Sequence, residues 1–327
     1  MIKNGLAYSG NAQECGTLEQ KVIHAIENNV PYIQLRAADF QTIGASDMLK
    51  TQDLIRQYQE KGGHISVHLP NPDWDYETMQ LTETNAKVIS AIKNIGKPLG
   101  IVEYTIHPHI NRLEWEKLDT EQQHTVLSQM AKYFSKIAQQ DVTLAIENIP
   151  VRDSEDFKGL PPTDEKEKAK FEKGRKNISY GMTIEEIDDI LDLTRKKYYE
   201  ATGNLDASKQ LIGITYDTGH SLAQIKDKDE GRGEIERWIG HFHDDIRIFH
   251  VSPSSSKEQN DIVFKSVIDN CWKYNVRDAL TYVEAHEDLP TMSDYFKQFK
   301  ECAKEEKAKA ESGQLEIRPI GNNPRIR

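Results

Sequence analysis

Eight short apolar runs, separated by charged segments of helical spacing, constrain the fold of this chain more than any other feature. The runs are GLAYS (5–9), YIQLRA (32–37), HISVHLP (64–70), IVEYTIH (101–107), VTLAIEN (142–148), IGITYDT (212–218), IRIFHVS (246–252) and LTYVEAH (280–286). Between them lie stretches such as TLEQKVIHAIENN (17–29), SDMLKTQDLIRQYQEKG (46–62) and TIEEIDDILDLTRKKYYEA (183–201), with apolar residues at helical intervals. Strand-like runs alternating with helix-like ones predict parallel strands joined by helical crossovers. Eight such units predict an α/β fold, a (β/α)8 TIM barrel, which takes about 250 residues. The chain has 327 residues, so part of it must lie outside the repeating unit.

Most of the excess is the segment VRDSEDFKGLPPTDEKEKAKFEKGRKNISYGM (151–182), which follows the fifth strand. It is charged, carries a Pro pair and shows no sustained apolar period, so it is expected to cross the C-terminal rim as a lid-like insertion. The expected organisation is a single barrel domain over 1–310 with this insertion, then a polar tail over 311–327.

The formal net charge is −11, which weighs against a surface built to grip a phosphate backbone. The three cysteines, Cys15, Cys271 and Cys302, are far apart and form no CxxC pair. That pattern fits a reducing, cytoplasmic setting better than a disulfide framework or a thiolate metal site. The first residues lack the long apolar core of a signal peptide, and no window reaches the roughly 18 apolar residues of a membrane span.

The chemistry is concentrated at the predicted strand ends. Strand three ends in His68, strand four in His107, strand five in Glu147, strand six in Asp217, strand seven in His250 and strand eight in Glu284. Successive members are 39, 40, 70, 33 and 34 residues apart, and the long gap contains the insertion. One metal-type ligand per βα unit places all six at the level where barrel enzymes build their sites.

Side-chain alternation supports this placement. Ala145 and Thr143 share Glu147's side of their strand, Thr215 and Gly213 share Asp217's, and Ser66 and His64 share His68's; the bulky apolar residues point the other way. Strand seven departs from the pattern, with Ile246 and Ile248 on His250's side. Imidazoles and carboxylates together suit divalent transition metals such as Zn, Mn, Fe or Co. Without a cation, Glu147, Asp217 and Glu284 would repel one another and drive at least one to bind a proton.

The motifs SVHLP, TIHPH, LAIENIP, ITYDTGH, IFHVS and TYVEAHE, in this order and spacing, resemble the xylose isomerase-like barrel superfamily, over about 1–300 apart from the insertion. That superfamily holds sugar isomerases and epimerases and also endonuclease IV. The resemblance to its epimerases implies one metal held by Glu147, Asp217, His250 and Glu284. The two glutamates would also act as base and acid, and His220, three residues after the Asp, would touch the substrate. The resemblance to endonuclease IV implies that His68 and His107 join the set. Its third metal would need an Asp-x-His motif after strand seven, and this chain has VSPSSSKEQNDIVF there instead. HFHDD (241–245) precedes that strand and reads as a solvated loop at the opposite end.

The expected activity is therefore a divalent-metal-dependent isomerase or epimerase of a sugar or hydroxy-ketone, acting through an enediolate with Glu147 and Glu284 as the proton-transfer pair and His220 orienting a hydroxyl. The alternative is an endonuclease IV-like two-metal phosphodiester hydrolase acting on abasic-site DNA. For it, Lys158, Lys166, Lys168, Lys170, Lys173, Arg175 and Lys176 would supply a basic strip, though Asp164, Glu165, Glu167 and Glu172 are interspersed. A non-catalytic, ligand-binding barrel is the third reading. The cofactor expected is one or two divalent ions and the partner a small sugar-like molecule; nucleic acid is less expected, and a membrane is not. Around the rim, His109, Tyr8, Arg36 and Trp74 are candidates either for the site or for packing. Ser252, Ser254, Ser255, Ser256 and Lys257 are candidates for a phosphate.

Overall fold

The computed structural model describes residues 2–41, 48–159, 161–254, 256–276 and 278–314. The eight predicted strands all form: β1 (Lys3–Tyr8), β2 (Tyr32–Arg36), β3 (His64–His68), β4 (Glu103–Ile106), β5 (Thr143–Glu147), β6 (Ile212–Asp217), β7 (Ile246–Val251) and β8 (Leu280–Ala285). They close into a parallel barrel in the order β1-β8-β7-β6-β5-β4-β3-β2. Each strand is followed by a long helix: α1 (Leu18–Glu27), α2 (Met48–Glu60), α3 (Thr84–Ala91), α4 (Thr120–Ala138), α5 (Ile184–Thr202), α6 (Lys228–Phe242), α7 (Lys257–Lys273) and α8 (Leu289–Glu311). The fold is a (β/α)8 TIM barrel. The chain divides into two compact units, Met1–Val67 with Thr215–Gly219 and Ile225–Arg327, and His68–Ile214 with His220–Gln224.

In the first unit, the side-chain alternation expected from the sequence sets two layers. Tyr216 turns out from β6 and stacks on Trp238 of α6, with ring centroids 5.3 Å apart and planes 9° from parallel. Such a pair adds about 0.5–1.5 kcal/mol beyond the area it buries. Tyr8 turns out from β1, its hydroxyl 2.8 Å from His24 Nδ1, and His24 Nε2 lies 2.7 Å from the Ser293 hydroxyl of α8. On the opposite side, Ser66 of β3 donates to the Tyr282 hydroxyl of β8 at 2.9 Å, forming a polar layer below the strand ends. Ile246 and Ile248 are buried, as their place on the His250 side requires.

HFHDD differs from the solvated loop expected of it. Helix α6 runs on to Phe242, which packs on Trp238 at 5.6 Å, and both Phe242 and Asp245 are buried. The ring of Phe242 carries the helix two residues into this stretch.

In the second unit, β4 and β5 pair in parallel with Thr105 opposite Ala145 and Ile106 opposite Ile146. The next residues, His107 and Glu147, are thereby brought level. The Leu69 amide donates to the Thr105 carbonyl at 2.8 Å, so His68 joins the same level.

The 151–182 segment carries more structure than its lack of periodicity indicated. A helix forms over Glu165–Asn177, capped by Asp164, with Glu165 and Glu167 in its first turn and Arg175 and Lys176 in its last. That charge order complements the helix dipole and substitutes for an apolar stripe. Phe171 packs on Phe157 at 6.0 Å. A Cβ at Gly174 would lie 2.0 Å from the Phe157 ring, so only glycine fits beneath it. Ile178 and Met182 return to an apolar cluster with Leu113 and Ile149. The basic strip is partly spent on neighbouring acids, Lys170 on Glu167 at 2.9 Å and Lys158 on Glu116 at 3.0 Å. Of the expected tail over 311–327, residues 315–327 lie outside the described residues.

Candidate metal centre

Four of the sequence-predicted residues meet in the second unit. Glu147 is buried at the end of β5, and its Oε2 lies 2.9 Å from His68 Nε2 and 3.3 Å from His107 Nε2. Its Oε1 lies 3.7 Å from His220 Nδ1. The His68 and His107 rings stand edge to face at 4.8 Å, and His220 is tilted to His107 at 5.6 Å. Three imidazoles thus surround one carboxylate.

Their outer hydrogen bonds define the tautomers. His68 Nδ1 donates to the Leu69 carbonyl at 2.9 Å, and His107 Nδ1 to the Asn71 side-chain oxygen at 3.0 Å. His220 Nδ1 donates to the Asn148 carbonyl at 2.7 Å. A carbonyl only accepts, so each ring keeps its proton on Nδ1, and His68 and His107 turn Nε2 to Glu147, the arrangement that outer partners impose on ligating histidines. Burial outweighs the Glu147 charge and holds the His107 pKa below the ordinary histidine value, favouring the neutral ring that binds cations. His109 is pushed down to about 4, by burial first and by His107 second.

These distances fit a cation. Two ligands each about 2.1 Å from a metal and roughly 90–109° apart are about 3.0–3.4 Å from one another. The two imidazole nitrogens stand 2.9 and 3.3 Å from the carboxylate oxygen. Potential ligand atoms of His68, His107 and Glu147 all lie within 4.8 Å of one another.

Three further predicted residues meet in the first unit. His250 is buried at the end of β7, its Nδ1 2.6 Å from Glu284 Oε2 and 3.9 Å from Asp217 Oδ2. Asp217 ends β6 and is itself buried. Beside it, the Ser252 amide donates to the Thr218 hydroxyl at 3.2 Å. Gly219 follows closely: a Cβ there would lie 2.6 Å from the Ser252 side chain and 3.2 Å from Asp217 Oδ1.

The other candidates are engaged in local hydrogen bonds. The Tyr8 hydroxyl is spent on His24. The Trp74 indole donates to the His109 carbonyl at 2.9 Å and anchors the loop after β3. Arg36 Nη1 donates to the Ser9 carbonyl at 3.0 Å. Ser256 caps α7, and Ser254 donates to the Gln259 side chain at 2.9 Å, so these hydroxyls serve the helix start; Ser255 lies outside the described residues. Ser9 and Asn71 went unnoticed in the sequence. Ser9 donates to Glu284 Oε1 and Asn71 orients His107. Their only signal was position one to three residues past a strand end.

The chain has the architecture of the xylose isomerase-like TIM barrels. No protein-family model and no curated protein matches it. Solved structures of this fold do. A D-tagatose 3-epimerase-like protein shares 14% identity, with a TM-score of 0.55 over 93% of this chain and 99% of that one. The D-psicose 3-epimerase of Clostridium cellulolyticum H10, crystallised with D-tagatose, shares 10%, with a TM-score of 0.54 over 97% and 100%. The probable 3-DHS dehydratase AsbF of Bacillus anthracis, involved in petrobactin synthesis, shares 11%, with a TM-score of 0.61 over 92% and 98%. At these identities the likeness is one of fold. Among the described residues, no helix is long and apolar enough to cross a membrane.

Proposed function

We propose that the protein is a divalent-metal-dependent isomerase or epimerase of a small sugar or hydroxy-ketone. The observation that carries this reading is the geometry of three of the four ligands read from the sequence: His250 Nδ1 lies 2.6 Å from Glu284 Oε2 and 3.9 Å from Asp217 Oδ2, and Glu147 is the fourth. Three acids and one imidazole would hold one cation and leave room in its coordination sphere for substrate oxygens. When bound, the cation supplies Lewis-acid stabilisation to negative charge developing on a substrate oxygen.

The chain's own residues do the rest. Glu147 and Glu284 remove and return a proton at the carbon next to the carbonyl, passing through an enediolate. His220, its Nδ1 committed to the Asn148 carbonyl, turns Nε2 to a substrate hydroxyl. The 151–182 segment begins with the Val151 amide donating to the His220 carbonyl at 3.1 Å, and as a cover it would exclude water from the intermediate. The solved epimerases of the same fold make a ketose the first substrate to try.

Ketohexoses and ketopentoses, incubated in deuterium oxide with Mn2+ or Co2+, test the reading. Deuterium should enter the carbon beside the carbonyl, and a chelator should stop it. Turnover of no sugar and no exchange under any metal would sink the proposal.

One observation favours a second reading, a two-metal phosphodiester hydrolase. A one-metal epimerase does not require His68 and His107, yet both face Glu147 at ligand distance. In that reading His68, His107 and Glu147 would hold a second cation, which would supply charge stabilisation to a phosphodiester oxygen. Metal analysis returning two tightly held ions per chain, with cleavage of abasic-site DNA, would favour it over the isomerase.

A further inference from the structure

We infer that Ser9 is a positioning residue of the metal centre: its hydroxyl orients the Glu284 carboxylate from a loop that Arg36 and Lys21 fix by its carbonyl groups. The inference rests on the reading of Glu284 as a cation ligand and names the groups that hold it in place.

Register comes first. β1 and β8 pair in parallel with Ala7 opposite Glu284 and Tyr8 opposite Ala285. Side chains alternate along a strand, so Ala7 and Ser9 share Glu284's side while Tyr8 points away, as its bond to His24 requires. Ala7 has no polar atom. Ser9, two residues on, carries the first hydroxyl on that side, and it donates to Glu284 Oε1. Oε2 of the same carboxylate lies 2.6 Å from His250 Nδ1. Both oxygens therefore have an assigned neighbour. A glutamate held this way has already lost side-chain freedom, so a ligand loses less on binding.

The loop that carries Ser9 is fixed in turn. Arg36 Nη1 donates to the Ser9 carbonyl at 3.0 Å, and Lys21 Nζ donates to the Gly10 carbonyl at 3.2 Å. Lys21 is fully buried and pairs with buried Asp39 at 2.8 Å; Asp39 also accepts from the Arg36 amide at 2.9 Å. A Cβ at Gly10 would lie 2.2 Å from Cys15 Sγ, so the loop closes only with glycine there. Cys15 Sγ donates to the Glu287 carbonyl at 2.9 Å, tying the same loop to the one after β8. A buried ion pair is a poor source of net stability, because desolvation offsets much of its attraction. Its position beneath the Ser9–Gly10 carbonyls gives it an orienting task instead.

Cobalt binding tests the inference apart from turnover. The metal-free wild type, Ser9→Ala, Ser9→Thr, Arg36→Met and Glu284→Gln are titrated with Co2+ by equilibrium dialysis and visible absorption, and their melting temperatures are measured without metal. Loss of a group that orients a ligand typically weakens metal binding roughly 10–100-fold. That loss, with an altered Co2+ spectrum, is expected for Ser9→Ala, and a smaller loss for Arg36→Met. Ser9→Thr should restore binding, and the metal-free melting temperatures of the Ser9 variants should match wild type. If Ser9→Ala binds Co2+ as wild type does while Glu284→Gln does not, the inference is overturned and the metal reading stands. If Glu284→Gln also binds as wild type does, the metal reading itself fails. A loss that Ser9→Thr does not restore, or one matched by a lower metal-free melting temperature, marks a structural role and overturns the inference.

Discussion

His68 Nε2 lies 2.9 Å from Glu147 Oε2 while His68 Nδ1 donates to the Leu69 carbonyl. The second contact fixes a ring proton on Nδ1, so Nε2 is the atom that His68 turns to the carboxylate. His107 repeats the arrangement, with Nδ1 on Asn71 and Nε2 3.3 Å from the same oxygen. These three side chains offer a place for a cation, whether a proton or a metal ion. Their residue types and spacing suit the metal.

Glu147→Gln removes the charge but keeps the shape of this site. It is expected to lower kcat on the substrate found by deuterium exchange by roughly 10²–10⁴-fold, the usual loss of a general base. Dialysis should show weaker divalent-ion binding in the same variant. Wild-type turnover in this variant would remove Glu147 from the chemistry.

Gly219→Ala tests the close approach beneath Asp217. The added Cβ would meet the Ser252 side chain at 2.6 Å and Asp217 Oδ1 at 3.2 Å. Overpacking of this kind costs about 1–3 kcal/mol. The expected result is a lower denaturant midpoint together with weakened metal binding, because Asp217 is displaced. Ser252→Gly in the same chain should recover part of both.

Glu186 holds the end of the 151–182 segment. Its Oε2 accepts from the Gly181 and Met182 amides, each at 2.9 Å, and its Oε1 pairs with Arg112. Glu186→Ala is expected to cost about 1.5–3 kcal/mol locally, the range for hydrogen bonds to a charged group. Hydrogen exchange at Gly181 and Met182 should accelerate, with protease cleavage rising in the Glu165–Asn177 helix. Unchanged exchange at both amides would show that the apolar cluster alone holds the segment.

Asp269 supplies a pH signature away from the metal centre. Burial, and then the neighbouring Glu306, raise its pKa to about 7, with Lys309 and Lys265 opposing. In the unfolded chain an Asp titrates near about 3.9. Between these values the folded protein binds the extra proton, so this group's stabilising contribution is full below about 4 and is lost as pH rises through about 7. Asp269→Asn should make the melting temperature fall less between pH 5 and pH 8 than it does in wild type, an interval of about 3 units spanning the raised pKa. An equal fall in both proteins would place the titration elsewhere.

Much of the fold was legible in the sequence because its signal is local. The runs around Leu144 and Ile146, or Ile214 and Tyr216, are apolar on the side that faces the helices, and turn residues and charged helices separate them. The level of the candidate ligands was legible for the same reason: one imidazole or carboxylate recurs at each strand end from His68 to Glu284. The Glu165–Asn177 helix was missed because caps and dipole-matched charges hold it rather than an apolar stripe. HFHDD was misread because Phe242, one ring in a charged stretch, packs on Trp238.

The sequence by itself determined the βα period and the six imidazoles and carboxylates that ride on it, since hydropathy and side-chain alternation act over a few residues. Only the tertiary structure decided which unremarkable side chains meet those groups: Ser9 on Glu284, Asn71 on His107, and Lys21 with Asp39 beneath the first loop. Those meetings depend on strand register and on loop closure between residues as far apart as 9 and 284, and no local pattern encodes them.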